Sequence, residues 1–151
     1  MEDISQYLLE KAITIALEGH QGQKDKAGEA YILHPLTLML RFSSNLERAV
    51  AVLHDVVEDA GVSLDFLRDQ GFDERVVSAV DRLSRRPEES YEVFIENIAK
   101  CPLATSIKIQ DLEHNMDVRR LSSFSGNDAF RMRRYVLAWN RLKCSIRNEE
   151  T

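Results

Sequence analysis

The residues best suited to chemistry lie in one run, His54-Asp55-Val56-Val57-Glu58-Asp59. Just before it stands Ala49-Val50-Ala51-Val52-Leu53, and a helix that apolar is normally buried. Burying unpaired ionisable side chains there is expensive. On one helix over residues 45–60, His54 and Glu58 stack at i,i+4, and Asp55 and Asp59 do so on a neighbouring face. An imidazole and two acidic pairs then repel one another unless a cation sits among them. A divalent metal is the economical answer, because imidazole and carboxylate together suit first-row metals. A His-Asp pair by itself more often marks a solvated helix end; the apolar run and the second acidic pair argue against that here.

Two further positions extend the set. His34 precedes Pro35 at an expected helix start, and Asp111 interrupts the apolar pattern of Ser106-Ile107-Lys108-Ile109-Gln110-Asp111-Leu112. Each alone would pass for a cap or a surface residue. With His54 and Asp55 they make a His-His-Asp-Asp set that leaves positions open for water and substrate.

The elements that must carry these residues read as helices throughout. Apolar residues recur at helical spacing over residues 4–19, where Gly19 gives a stop signal. Pro35 suits the first turn of a second helix. Further helices are expected after Ser63, from near Asp73, over residues 90–100, from Pro102 and over residues 128–145, with Ser63 as an N-cap. Residues 122–127 read as a small polar loop. No strand alternation or hairpin signal appears, so the fold class is all-α.

Composition bounds the rest. The 151 residues suit one domain able to bury its own core. A net charge of −5 argues against a general nucleic-acid binder while allowing a local basic pocket for a small anion. The basic residues near the C-terminus, among them Arg119, Arg120, Arg133, Arg134 and Arg141, read as a solvated helix face. Cys101 and Cys144 are isolated, which fits reduced thiols and a cytoplasmic setting. The first residues lack the pattern of a signal peptide, and no apolar run spans a membrane. Neither a nucleic-acid nor a membrane partner is expected, and oligomeric state is not legible.

Four blocks occur in order: Gly19-His20-Gln21-Gly22-Gln23-Lys24, Tyr31-Ile32-Leu33-His34-Pro35, His54 to Asp59, and Lys108 to Asn115. In this order and spacing the chain resembles the HD-domain phosphohydrolases. Within them it is similar to the hydrolase domain of RelA/SpoT-type alarmone enzymes and to the stand-alone small alarmone hydrolases, over residues 8–142. The resemblance implies a single HD-domain helical bundle spanning 1–151. It also implies removal of the 3′-pyrophosphate from guanosine tetra- or pentaphosphate (ppGpp, pppGpp), releasing GDP or GTP.

By the same resemblance, His34, His54, Asp55 and Asp111 match the ligands of one manganese ion, and Glu58 and Asp59 match the acidic pair that distinguishes the alarmone hydrolases. Either of that pair can orient water or accept its proton. Lys24 and Asn115 match nucleotide contacts; Arg131 and Tyr135, at i,i+4 on the last helix, are placed to meet phosphate and line the pocket. His20 is expected to be structural, while Lys26, Arg41 and Lys108 are additional contributors without a defined role. Gln23, Gln110, Leu112 and His114 depart from the residues usual in relatives. These departures leave the metal set intact and bear on which nucleotide is bound. The alternatives are an HD phosphohydrolase for another nucleotide, such as an adenosine alarmone or the 2′-phosphate of NADPH, and a non-catalytic nucleotide-sensing module.

Overall fold

The computed structural model describes residues 2–149. Met1, Glu150 and Thr151, the ends of the expected 1–151 domain, lie outside the described residues. Along the chain come α1 (Gln6–Gly19), α2 (Leu33–Met39), α3 (Asn45–Leu53), α4 (Val56–Asp59) and α5 (Leu64–Asp69). They are followed by α6 (Glu74–Leu83), α7 (Tyr91–Ala99), α8 (Pro102–Asn115), a 3₁₀ turn at Val118–Arg120, and α9 (Gly126–Glu149).

Side-chain caps set most helix starts. Ser5, Ser44, Ser63 and Ser90 each accept the backbone N–H three residues on, and Asp73 accepts that of Arg75. Each such cap contributes about 1 kcal/mol. Pro102 opens α8, where its missing N–H costs nothing.

The core is organised around α3, whose Leu46, Ala49, Val50, Ala51, Val52 and Leu53 are all buried. Helices α1, α2, α6 and α8 pack against it, and α9 lies along α7 and α8. Full burial of Leu53 alone contributes roughly 1.5–3 kcal/mol. An apolar helix in the middle of the core thus delivers its polar C-terminal end, His54-Asp55, into the interior.

The expected single helix over residues 45–60 is interrupted at that point. His54 Nδ1 lies 2.7 Å from the Ala51 carbonyl oxygen, so it donates to an acceptor that a continuing helix would offer to the residue 55 N–H. Asp55 adopts φ −108°, ψ −3°, and the short α4 starts only after it. Gly61 then takes φ +68°, which ends α4 and lets Val62 N–H reach back to the Val56 carbonyl at 3.2 Å. The i,i+4 stacking of His54 on Glu58 is therefore overturned.

The polar loop after α1 is built rather than loose. Lys24 and Ala30 form an isolated antiparallel bridge, and Asp25 Oδ1 accepts the N–H groups of Ala27 and Glu29 at 2.9 and 3.0 Å. The last helix is longer than expected at both ends, and the 3₁₀ turn before it has no counterpart in the sequence reading.

Candidate metal centre and adjoining cavity

His34 on α2, His54 after α3 and Asp111 on α8 are all buried, with one ligand atom of each within 4.8 Å of the others. His34 Nε2 lies 2.9 Å from Asp111 Oδ1, and His54 Nε2 lies 3.6 Å from the same oxygen. Asp55 stands beside this group, its Oδ2 2.9 Å from His54 Nε2. Thus the structure brings three of the four expected ligands into one cluster and the fourth to its edge.

The hydrogen positions decide what the cluster can hold. A carbonyl only accepts, so the proton of the neutral His54 ring is on Nδ1, facing Ala51. Nε2 is buried and makes no hydrogen bond among the described residues, although carboxylate oxygens from two residues face it. A lone pair aimed at carboxylates is repulsive unless a proton or a cation lies between them. Burial favours the neutral ring, yet Asp55 and Asp111 outweigh it and hold the His54 pKa well above the usual value. The donor set of imidazole and carboxylate, with the far ring nitrogen fixed by a carbonyl, fits a divalent metal.

Neighbouring side chains hold the carboxylates. Lys108 Nζ is 2.7 Å from Asp111 Oδ2, and Asn115 Nδ2 donates to Asp111 Oδ1 at 2.8 Å. Burial would raise the Asp111 pKa, but Lys108 and the two histidines keep it well below the ordinary carboxylate range. The Tyr31 hydroxyl donates to Asp55 Oδ2. His34 Nδ1 lies 2.6 Å from His114 Nδ1. Burial, aided by Arg120, lowers the His114 pKa to about 4, so that ring is neutral near pH 7.

Glu58 and Asp59 are exposed and form an acidic rim just past Asp55, with Glu58 lining a separate pocket beside Leu64, Ser84 and Arg85. Glu58 Oε2 accepts the Arg85 backbone N–H at 2.9 Å, which turns the side chain toward the end of α6. Burial, then Asp55, raises the pKa of both acids. Gln23 ties this rim to the loop: its Nε2 donates to the Asp59 carbonyl at 2.8 Å, and its Oε1 takes the His20 Nδ1 proton at 2.8 Å.

A cavity of about 250 Å³ adjoins the cluster. Lys24, Asn115, Arg131 and Tyr135 all line it, together with Asp25, Lys26, Tyr31 and Arg120. Tyr31 and Asn115 belong to both places, since each also bonds an aspartate of the cluster.

No family model matches the chain. It is 32% identical over 125 residues to a GTP pyrophosphokinase of Streptomyces coelicolor, covering 74% of this chain and 15% of that protein. It is 32% identical over 112 residues to a guanosine-3′,5′-bis(diphosphate) 3′-pyrophosphohydrolase of Vibrio cholerae, covering 69% of this chain and 15% of that one. The chain therefore spans roughly one sixth of the curated relatives it matches. Among solved structures, a metazoan ortholog of SpoT, described as hydrolysing ppGpp and acting in starvation responses, superposes with a TM-score of 0.70. That match has 19% identity and covers 98% of both chains. The chain is a RelA/SpoT-type HD domain.

Several neighbours of the cluster in this RelA/SpoT-type domain escape a reading of single residues. Tyr31 lies inside one of the four blocks yet carries no signal of its partner Asp55, 24 positions away. Lys108 had a usable signal, because i,i+3 on a helix places it beside Asp111. Arg120, expected on a solvated basic face, lines the cavity instead. Arg41 instead bonds the Gln110 carbonyl and side chain at 3.2 and 3.0 Å, away from the cavity.

Proposed function

We propose that this domain is a metal-dependent phosphohydrolase that removes the 3′-pyrophosphate of ppGpp or pppGpp, giving GDP or GTP and pyrophosphate. The observation that carries the reading is the buried His54 Nε2, which faces carboxylates from two residues without a hydrogen bond. The names of the relatives support the choice of nucleotide. His34, His54, Asp55 and Asp111 would hold one divalent ion, taken here as manganese. When bound, that ion supplies Lewis acidity toward a phosphoryl oxygen and toward water.

The protein's own groups do the rest. Lys108 and Asn115 hold the Asp111 carboxylate, and Tyr31 holds that of Asp55, so each keeps its orientation as charge develops. With a metal bound, His34 would present Nε2 as a lone pair, its Nδ1 proton then facing His114 Nδ1. Water attacks phosphorus, the bond from phosphorus to the ribose 3′-oxygen breaks, and that oxygen leaves as the 3′-hydroxyl after taking a proton from solvent. Glu58 or Asp59, each with a raised pKa, takes the proton from the attacking water. Lys24, Asn115, Arg131 and Tyr135 bind the nucleotide in the cavity. The whole unit is proposed to act as one domain in the cytoplasm.

The deciding experiment offers the purified chain ppGpp, an adenosine alarmone and NADPH, with manganese or with EDTA. Release of pyrophosphate from ppGpp only with metal is expected. Turnover of another nucleotide but not of ppGpp would overturn the substrate. Undiminished turnover in EDTA, or in His54→Ala, would overturn the metal centre. Glu58→Ala is expected to retain metal while losing most turnover. Rate should fall as pH drops through the raised carboxyl values, above the ordinary pKa of about 4, because only the ionised form accepts a proton.

A further inference from the structure

Arg120 stands where the cavity meets the metal cluster. Its NH1 donates to the His114 carbonyl at 3.1 Å and to Asn115 Oδ1 at 3.2 Å. These bonds orient the Asn115 amide, since a guanidinium only donates and the Asp111 carboxylate on the other side only accepts. One arm of Arg120 is thus committed to the wall. The other arm, NH2, faces Asp25 Oδ2 at 3.7 Å, beyond hydrogen-bond distance. Arg131, by contrast, is already hydrogen-bonded to Asp128.

Resting on the nucleotide reading above, we propose that Arg120 is a phosphate-binding residue of the cavity. Its free arm leaves Asp25 for the ligand while its fixed arm keeps Asn115 on Asp111. Asp25 is the internal competitor: an anionic ligand with phosphate oxygens offers Arg120 the shorter, charge-assisted bonds that Asp25 does not make. The site selects a phosphorylated ligand over the bare nucleoside.

The test measures binding without turnover, by calorimetry in EDTA, for the wild-type chain, Arg120→Gln, Arg120→Lys and Asp25→Asn. The probes are ppGpp, inorganic pyrophosphate and guanosine. Arg120→Gln should bind ppGpp and pyrophosphate about ten- to a hundredfold more weakly, with guanosine unaffected and Arg120→Lys intermediate. Asp25→Asn keeps the Oδ1 acceptor for Ala27 and Glu29 and removes the competing charge, so it should bind both anions more tightly. Equal anion affinity in wild type and Arg120→Gln, or no anion binding by the wild type, overturns the proposal. Arg120-dependent pyrophosphate binding in a chain that does not hydrolyse ppGpp upholds it and sinks the substrate reading instead. Normal ppGpp turnover with an unchanged KM in Arg120→Gln does the reverse.

Discussion

At the scale of single residues, the pair Lys108–Asp111 shows how charge is managed inside this core. Lys108 is 13% exposed and Asp111 5% at the side chain. Burial works against the ammonium, yet Asp111 outweighs it and keeps the Lys108 pKa above the usual lysine range. Removing one partner of a buried pair leaves a charge uncompensated and costs about 3–5 kcal/mol. Lys108→Met should therefore lower stability to urea by that order in EDTA, and by clearly less with manganese, because a bound cation takes over the neutralising role. An equal loss in both conditions would show that Lys108 does not share the charge of the metal ligands. The i,i+3 spacing to Asp111 is a signal for Lys108, whose role the sequence alone leaves undefined; Tyr31 carries no such signal, because its partner lies on another element.

At the scale of elements, the decisive event is the break between α3 and α4, and the far end of α4 packs against α1. A Cβ added at Gly19 would sit 2.9 Å from the Ala60 Cβ, closer than carbons tolerate. The end of α1 thus touches the end of α4, the turn that carries Glu58 and Asp59. Gly19→Ala should destabilise the chain by roughly 1–3 kcal/mol through overpacking and lower turnover by moving the acidic pair. Adding Ala60→Gly removes the clash and should restore much of both, as thermal unfolding and steady-state rates would show. A double variant no better than Gly19→Ala would place the damage elsewhere. The sequence marks Gly19 as a helix stop; its close approach to Ala60 is invisible until the two helices are packed.

At the scale of the whole molecule, the cluster ties together helices far apart in the chain. His34 and Asp111 are 77 positions apart, and His54 comes from between them. An ion that binds only where these helices have assembled stabilises the fold by mass action. At a hundred times its dissociation constant the gain is about 2.7 kcal/mol. For a chain of this size that raises the melting temperature by roughly 5–10 °C. Manganese should produce such a rise and EDTA should reverse it. Asp111→Asn, which keeps the shape and loses the charge, should show little response. A wild-type melting curve indifferent to metal would count against the site as a whole.

The sequence by itself determined the helical class, most helix starts and the set of residues that could meet at a metal. Those features are written in near neighbours: serine and aspartate caps, 3.6-residue periodicity, and an apolar run ending in His54-Asp55. Tertiary structure decided the rest. It set the His54 ring so that Nδ1 bonds the Ala51 carbonyl three residues back, the local bond that interrupts the helix. It left His54 Nε2 facing two aspartates, turned Glu58 toward Arg85, and moved Arg120 from an expected solvated face to the cavity wall. Each outcome depends on an atom supplied by the folded backbone or by a distant element, and spacing along the chain does not encode which of a side chain's polar atoms will meet it.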